Sequence, residues 1–430
     1  MSLHRSRPRE VLRLLNESSR IVVVKFGGSV LDSGSSVDKA AKVVKDSHER
    51  GDGVIVVVSA MKGVTDSLLE FSKHSNPSMP PSKLDDLLSL GERASARRFA
   101  AALQRRGVEA VIIDPDSKLW PIVTDETHLD ANPLIEESGE LVRSLILPLV
   151  NDGKVLVVCG FVGRSMSGKI TTMGRGGSDT TAIFLGRCLG AKEVVLIKDT
   201  EGVFSSDPDK VENPYFVQSL EGDEAERLAS GGAKFLQAKS LRFKPEGMRV
   251  RITSLDKIES GTVIEGELPD LAARLEQESV TMITVVGSAA SRIESIVELT
   301  RAVERAHARL LSLSLETNSV ILYVAGGRDI TEIVHDVVTG KGVGKAVSAF
   351  EGLGMLTVYG KGLETTPGLV QRLTQPLARA GINLYGVMTI SSSIRVFLQS
   401  SQAAAALDMV KKALIAKEEE EEEEQGEGRT

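Results

Sequence analysis

Ile21-Val-Val-Val-Lys25-Phe-Gly-Gly-Ser29 sets the architecture. Four β-branched residues in a row give no alternation between an inside and an outside face. The segment therefore reads as a strand buried on both sides. The glycines that follow, Gly27 and Gly28, let the chain turn sharply and come close to a ligand, with backbone N–H groups free to face phosphate oxygens. Lys25 adds a positive charge at the same mouth. The plain alternative at this point is a tight turn with a surface lysine.

The same apolar signature recurs at Val54-Ile-Val-Val-Val, Ala110-Val-Ile-Ile-Asp, Val155-Leu-Val-Val-Cys and Val194-Val-Leu-Ile-Lys. Helical periodicity fills the gaps, from Val37 to Arg50, Lys83 to Arg106, Glu136 to Asn151 and Ser178 to Leu189. Strands alternating with helices predict an α/β fold with a mainly parallel sheet covered on both faces. Ligands in such folds gather beyond the carboxyl ends of the strands, so the residues just after each run are the candidates.

After about residue 266 the pattern changes. Met282-Ile-Thr-Val-Val-Gly begins a strand, Ser291 to Ala308 a helix and Ser319-Val-Ile-Leu-Tyr-Val a strand. Met355-Leu-Thr-Val-Tyr-Gly, Pro367 to Ala380 and Ile394-Arg-Val-Phe-Leu then repeat the order roughly 70 residues later, an internal repeat of small α+β units.

Composition narrows the function. The chain has 430 residues, of which 41% are hydrophobic, enough for a large core and roughly two to four domains. The formal net charge is −7. Lys417 to Thr430 carries eight glutamates against Lys417 and Arg429, which leaves the body close to neutral. A neutral body lacks the basic face that nucleic acid requires, and the glutamate run reads as a disordered, solvated tail. No apolar run reaches the ~18 residues of a membrane span. Residues 1–20 read as a polar N-terminal arm without a signal-peptide core. Cys159 and Cys188 lie in core-like contexts, which predicts no disulfide framework and fits a reducing, cytoplasmic setting.

Gly174-Arg-Gly-Gly-Ser-Asp179 carries the strongest chemical signal. It opens a helix, whose free N–H groups and positive dipole end suit an anion, and Arg175 can hold a carboxylate with two parallel hydrogen bonds. Ser178 and Asp179 could instead cap the helix. Lys198-Asp-Thr-Glu-Gly-Val-Phe-Ser-Ser-Asp-Pro208 is a polar loop after a strand, where a nucleotide or only solvent could lie. Ser89-Leu-Gly-Glu-Arg93 reads by itself as a solvated helix face, and Ser59-Ala-Met-Lys-Gly-Val-Thr65 could offer a hydroxyl to a substrate.

Taken in order, Lys25-Phe-Gly-Gly, Ser59-Ala-Met with Thr65, Gly91-Glu92, Gly160-Phe-Val-Gly, Thr171 to Thr181, Asp199 with Gly202-Val-Phe, Asp207-Pro208 and Gly232-Ala-Lys234 resemble the aspartokinase family over nearly the whole chain. The resemblance implies an amino-acid kinase fold, an αβα sandwich, over 21–265, followed by ACT-like units over 266–345 and 346–416. It implies transfer of the γ-phosphate of ATP, with Mg²⁺, to the β-carboxylate of L-aspartate, at the head of lysine, threonine and methionine biosynthesis. Lys25 and Lys234 are expected to hold the phosphoryl group and Asp179 to organise them. Thr65, Glu92, Phe161, Arg175 and Ser178 are expected around aspartate. Gly27, Gly28, Ser29, Lys198, Asp199, Phe204 and Asp209 are expected around the nucleotide. Asn383, after the second repeat's helix and facing the loop from Lys361 to Pro367, is the expected effector contact, and the ACT-like units are expected to form a homodimer or larger homo-oligomer.

The chain departs from the family pattern at four places. Lys198 stands where a small hydroxyl residue is common, Phe204 where Tyr is frequent, Asp209 where Arg often meets phosphate, and Phe235-Leu-Gln-Ala where Leu-His-Pro is usual. The first repeat has Ala308-Arg-Leu-Leu where an effector-binding copy often carries Asp or Asn. A kinase of the same fold acting on glutamate or acetylglutamate, and a non-catalytic amino-acid sensor, are the competing readings. A carboxylate acceptor is already ionised at neutral pH, so the reaction calls for cations and positioning rather than a base.

Overall fold

The computed structural model describes residues 21–363, 368–390 and 393–427, with side chains as far as Leu414. It divides into two compact units, Met1–Leu268 and Pro269–Thr430.

In the first unit the strands are β1 (Ile21–Phe26), β2 (Gly53–Val58), β3 (Ala110–Ile113), β4 (Val123–Thr124), β5 (Val155–Cys159), β6 (Val162–Ser165), β7 (Ile170–Thr172) and β8 (Glu193–Lys198), followed by β9 (Val203–Phe204), β10 (Phe216–Val217), β11 (Ser219–Glu221), β12 (Arg249–Ser254) and β13 (Thr262–Glu265). Eight of them form one sheet in the order β11-β13-β12-β8-β1-β2-β5-β3. Every neighbouring pair is parallel except β12 with β13. The continuous valine and isoleucine runs are buried along their whole length, as at Val54–Val58 and Val155–Cys159. That is what helices on both faces of a parallel sheet demand.

The helices Gly34–Glu49, Pro81–Arg105 and Gly177–Leu189 supply that cover. The expected helix from Glu136 to Asn151 is interrupted. It is α-helical over Ile135–Leu141 and Leu147–Asn151, with a π-helical turn at Val142–Ile146 between. Pro148 explains the break, because its ring has no N–H and crowds the carbonyl four residues back, which a wider turn relieves. The first core runs through both layers, with Phe26, Val56, Phe99, Val157, Phe184 and Leu196 fully buried.

The second unit is one six-stranded antiparallel sheet of β14 (Ala272–Val286), β15 (Arg309–Glu316), β16 (Ser319–Ala325), β17 (Ala346–Tyr359), β18 (Leu384–Ile390) and β19 (Ser393–Gln399), in the order β15-β16-β14-β17-β19-β18. One core joins Ile283 and Val285 to the helices Ile293–Arg305 and Ile330–Lys341. A second joins Ala273, Leu356 and Val358 to the helices Leu369–Arg379 and Ser400–Glu427.

The expected cut at 345/346 does not separate these cores. β14 and β17 are long enough to cross both, and β14 shifts register between Leu275 and Met282 where it passes from one to the other. Residues 271–275 therefore pack with the second repeat although they precede the first. Between the two cores Tyr323 and Phe397 stack at 4.0 Å, beside Val280, Leu353 and Met355.

The acidic run was expected to be disordered from Lys417. Its backbone instead continues the last helix to Glu427. Lysine and glutamate are good helix formers, and extending a helix already docked through Ala403, Ala406 and Val410 needs no new nucleus. Among the described residues no helix is long and apolar enough to cross a membrane.

Candidate active site

The parallel strands β1, β2, β5 and β8 end on the same side of their sheet, and the candidate residues follow those ends. Lys25 is the last residue but one of β1, Ser59 and Ala60 follow β2, Gly160 and Phe161 follow β5, and Lys198 closes β8. Gly27 N–H donates to Ile197 O at 3.0 Å, and Lys62 N–H to Gly28 O at 3.2 Å, so the turns are tied to one another. A Cβ on Gly28 would run into Ala60 O, and this close approach of two turns is why the position takes glycine.

Asp179 is the centre of the arrangement. It lies in the first turn of Gly177–Leu189, whose N-cap is Gly176 at φ 70° and which no side chain caps. The capping alternative for Ser178 and Asp179 is thus set aside. Asp179 Oδ1 lies 2.7 Å from Lys25 Nζ, and Oδ2 lies 2.7 Å from Lys198 Nζ. Burial opposes ionisation of Asp179, but Lys198 and Lys25 outweigh it and hold the carboxyl down at about 2. Burial also lowers Lys25, against the raising effect of Asp179, with Lys198 lowering it further and Asp199 raising it.

Glu92 is 3% exposed on the inner face of Pro81–Arg105, not on a solvated face. Its Oε1 accepts from Ala60 N–H at 3.1 Å, while its buried Oε2 has no hydrogen-bond partner among the described residues. Burial drives its pKa up to about 7, against the pull of the Ala60 N–H and the Lys25 charge. A buried carboxylate oxygen of this kind suits a substrate ammonium.

Phe161 has φ 66°, a conformation a bulky residue adopts only when its surroundings impose it. Its N–H donates to Thr181 Oγ1 at 3.0 Å, and its carbonyl accepts from Met173 N–H at 2.9 Å. The helix carrying Asp179 and the strand before it therefore fix this ring. Ser178 is buried at the same helix start, and Gly160 leaves room for it, since a Cβ there would lie 2.6 Å from Ser178 Cβ. Thr65 is half-buried at the start of Val64–Ser75. Arg175 is exposed on the turn before the helix.

Of the nucleotide residues, Gly27 is buried and Gly28 and Ser29 are half-buried, while Asp199 and Asp209 are exposed. Phe204 meets Phe216 edge-on at 5.8 Å. Asp209 N–H donates to Asp207 Oδ1 at 3.0 Å.

Lys234 is not gathered in. It is exposed on the loop after Gly222–Ser230 and has no ion-pair partner among the described residues. Among the described residues the second lysine on Asp179 is Lys198. Asn383 is exposed immediately before β18. Of the loop that was to face it, residues 364–367 lie outside the described residues.

Sequence reasoning missed the network beneath the glycine turn. Buried Asp85 meets His128 Nδ1 at 2.6 Å and accepts from Thr172 Oγ1 at 2.5 Å, and Lys239 Nζ holds Asp130 Oδ1 at 2.8 Å. The signal was helical spacing, since Asp85 and Glu92 sit seven residues apart on one face of Pro81–Arg105.

Residues 20–254 match the model of the amino acid kinase family. An aspartokinase of Bacillus sp. (strain MGA3) is 30% identical over 407 residues, covering 91% of this chain and 97% of that protein. An aspartokinase of Mycolicibacterium smegmatis is 27% identical over 416 residues, covering 91% and 96%. Two solved structures share the fold. E. coli aspartokinase III in complex with aspartate and ADP (R-state) has TM-score 0.53 and 21% identity over 92% of this chain and 100% of that one. The aspartate kinase of Synechocystis has TM-score 0.71 and 22% identity over 91% and 69%. With a matching kinase domain and likeness to aspartokinases along nine-tenths of its length, the chain belongs to the aspartokinase family, ATP-dependent kinases whose acceptor is the carboxyl group of aspartate.

Proposed function

We propose that the ends of β1, β2, β5 and β8 form the site at which the γ-phosphate of ATP passes to the β-carboxylate of L-aspartate, giving 4-phospho-L-aspartate and ADP. The observation that carries this reading is the pairing of a buried, unpartnered carboxylate oxygen on Glu92 with the cationic cluster of Lys25 within its electrostatic reach. One receives an ammonium and the other a phosphoryl group, and a substrate bearing an α-amine and a side-chain carboxylate needs both.

In this reading Glu92 takes the α-amine and Arg175 the α-carboxylate, with Thr65, Phe161 and Ser178 shaping the pocket. Lys25 meets the transferring phosphoryl group. Gly27, Gly28 and Ser29 offer backbone N–H groups to phosphate. Asp199, Phe204 and Asp209 border the nucleotide. Mg²⁺ would be carried on the substrate phosphates with water and one or two carboxylates, for which the exposed Asp199 and Asp209 are the candidates. Bound there, it neutralises phosphate charge. The aspartate carboxylate is ionised from the start, and the protein's work is to hold two anions in line.

The chain acts at the head of lysine, threonine and methionine synthesis in the cytoplasm, a setting supported by its two free cysteines. It assembles as a homo-oligomer through the second unit. Support for that comes from exposed Leu310 and Leu315 on edge strand β15 and Val387 and Ile390 on edge strand β18.

Coupled measurement of ADP release with a panel of amino acids tests the reading. Release dependent on L-aspartate is expected. Release that depends on glutamate or acetylglutamate instead, or on no amino acid, overturns it.

A further inference from the structure

Asp179 holds two ammonium groups, one from each of two neighbouring strands. β1 and β8 pair in parallel with Lys25 opposite Leu196, so Lys198, two residues further on, lies diagonally from Lys25 on the same face at the carboxyl end of the sheet. Each Nζ lies 2.7 Å from a different oxygen of the carboxylate. One anion between two cations leaves the trio with one net positive charge, where Lys25 and Asp179 are 6% and 3% exposed and Lys198 is half-buried, with Asp199 and Glu92 acting on Lys25 from further off. Burying such a surplus is costly unless an anion completes it. An ammonium has three N–H donors. Lys198 directs one at Asp179 Oδ2 and Lys25 meets Oδ1 as an ion pair, so each keeps at least two for that anion. Asp179 lies in the first turn of Gly177–Leu189, so the positive dipole end of that helix adds to the charge at the same point.

Lys234, the lysine expected for this task, is exposed on its loop. Lys198 replaces the small hydroxyl residue common at its position in the family pattern, so it brings a charge where that pattern has none.

We propose that Lys198 is the second phosphoryl-binding lysine of this chain, a catalytic residue that acts with Lys25 on the γ-phosphate in place of Lys234. The proposal rests on the phosphoryl-transfer reading of the site. In the step itself a β-carboxylate oxygen of aspartate bonds to the γ-phosphorus while the bond from that phosphorus to the β–γ bridging oxygen breaks. Its electron pair leaves with ADP, and neither lysine forms a covalent bond. As negative charge moves onto the bridging and equatorial oxygens, two fixed ammonium groups stabilise it more than one does.

The test compares Lys198→Met, Lys198→Arg, Lys198→Thr and Lys234→Met in the full chain. Lys198→Met and Lys198→Thr are expected to lower kcat by about 100- to 1,000-fold, the usual effect of removing one such donor. The aspartate KM should stay within about threefold, Lys198→Arg should recover part of the rate because it keeps the charge, and Lys234→Met should lose less than about tenfold. A second measurement needs no acceptor. Calorimetry with ADP and with a non-hydrolysable ATP analogue should show the wild-type preference for the triphosphate reduced at least about tenfold in Lys198→Met, with ADP affinity retained.

A Lys198→Thr enzyme with normal kcat, or a triphosphate preference unchanged in Lys198→Met, overturns the proposal. So does loss of aspartate and ATP KM together with kcat intact, which would make Lys198 only a support for Asp179. Wild-type enzyme that discriminates the triphosphate yet transfers nothing to aspartate would instead refute the substrate reading and leave the lysine assignment standing.

Discussion

Glu92→Gln separates what burial of this carboxyl costs the fold from what it contributes to substrate capture. The free carboxyl ionises at about 4.5, and burial raises it to about 7 in the folded chain. Between those values the folded state holds a proton that the unfolded state has released. Stability is therefore highest below pH 4.5, declines as pH rises towards 7, and is flat above. A shift of about 2.5 units corresponds to roughly 3 kcal/mol. At pH 8 the Gln variant should exceed wild type in unfolding free energy by up to about that amount, and at pH 4.5 by almost nothing. Denaturant titrations at a series of pH values read the difference. Catalysis should move the other way. If only ionised Glu92 receives the ammonium, the apparent aspartate KM should be about tenfold higher at pH 6 than at pH 8. In Glu92→Gln the KM should be high and independent of pH, with kcat the less affected parameter. A wild-type KM flat from pH 6 to 8, together with a stability gap that does not vary with pH, would refute the reasoning.

Arg175→Ala should raise the aspartate KM by about 10- to 100-fold, the loss of one charge-assisted pair, and near-normal kinetics in a folded variant would remove Arg175 from the pocket. Lys25→Met should lower the single-turnover rate by about 100-fold or more at saturating ATP and aspartate, while a change confined to the aspartate KM would make Lys25 a binding residue only. Leu315→Lys with Val387→Lys should weaken self-association in sedimentation at least about tenfold, by charging both edges of the second sheet, and unchanged assembly would place the interface elsewhere.

The parallel sheet was legible because Ile21–Val24, Val54–Val58 and Val155–Cys159 are too uniformly apolar for a half-exposed strand. Strand polarity placed Lys25, Ser59, Phe161 and Lys198 at the strand ends, whereas Glu92 read locally as a solvated helix face and was singled out only by the resemblance. What sequence could not supply was pairing across elements. Whether Asp179 meets Lys198 or Lys234 depends on how β8 lies against the helix start, and nothing local to Lys198-Asp-Thr-Glu records it. The dual service of β14 was hidden because Ala272–Gln277 has no strong apolar pattern and joins its core through Leu275 and Ala273 only. β15 did carry a signal, the alternation of Leu311, Leu313 and Leu315 with Ser312 and Ser314. β18 is weaker, since Gly386 interrupts it to admit Tyr323, whose hydroxyl lies 2.5 Å from where a Cβ would sit.

Two carboxyl groups in one site are driven in opposite directions, and their division of labour follows from that. Asp179, between Lys198 and Lys25, is held down at about 2, so it stays ionised at every pH at which the enzyme works. Glu92, with no cation paired to it among the described residues, changes charge near neutrality. A pKa near 7 is also what a general base needs, but an aspartate carboxylate has no proton to surrender, so in the proposed reading Glu92 serves by its charge. Asp179 serves by holding two ammonium groups together. Asp179→Asn should therefore destabilise the chain by about 3–5 kcal/mol, the usual cost of breaking a buried pair, and should do so equally at pH 5 and pH 8. Its own pH window lies lower, because the stability from a depressed carboxyl is present above the unfolded value of 3.8 and lost as pH falls towards 2. An Asp179→Asn variant whose deficit shrank between pH 8 and pH 5 would show that Asp179 titrates with Glu92. The separation of a permanently charged anchor from a titrating substrate receptor would then fail.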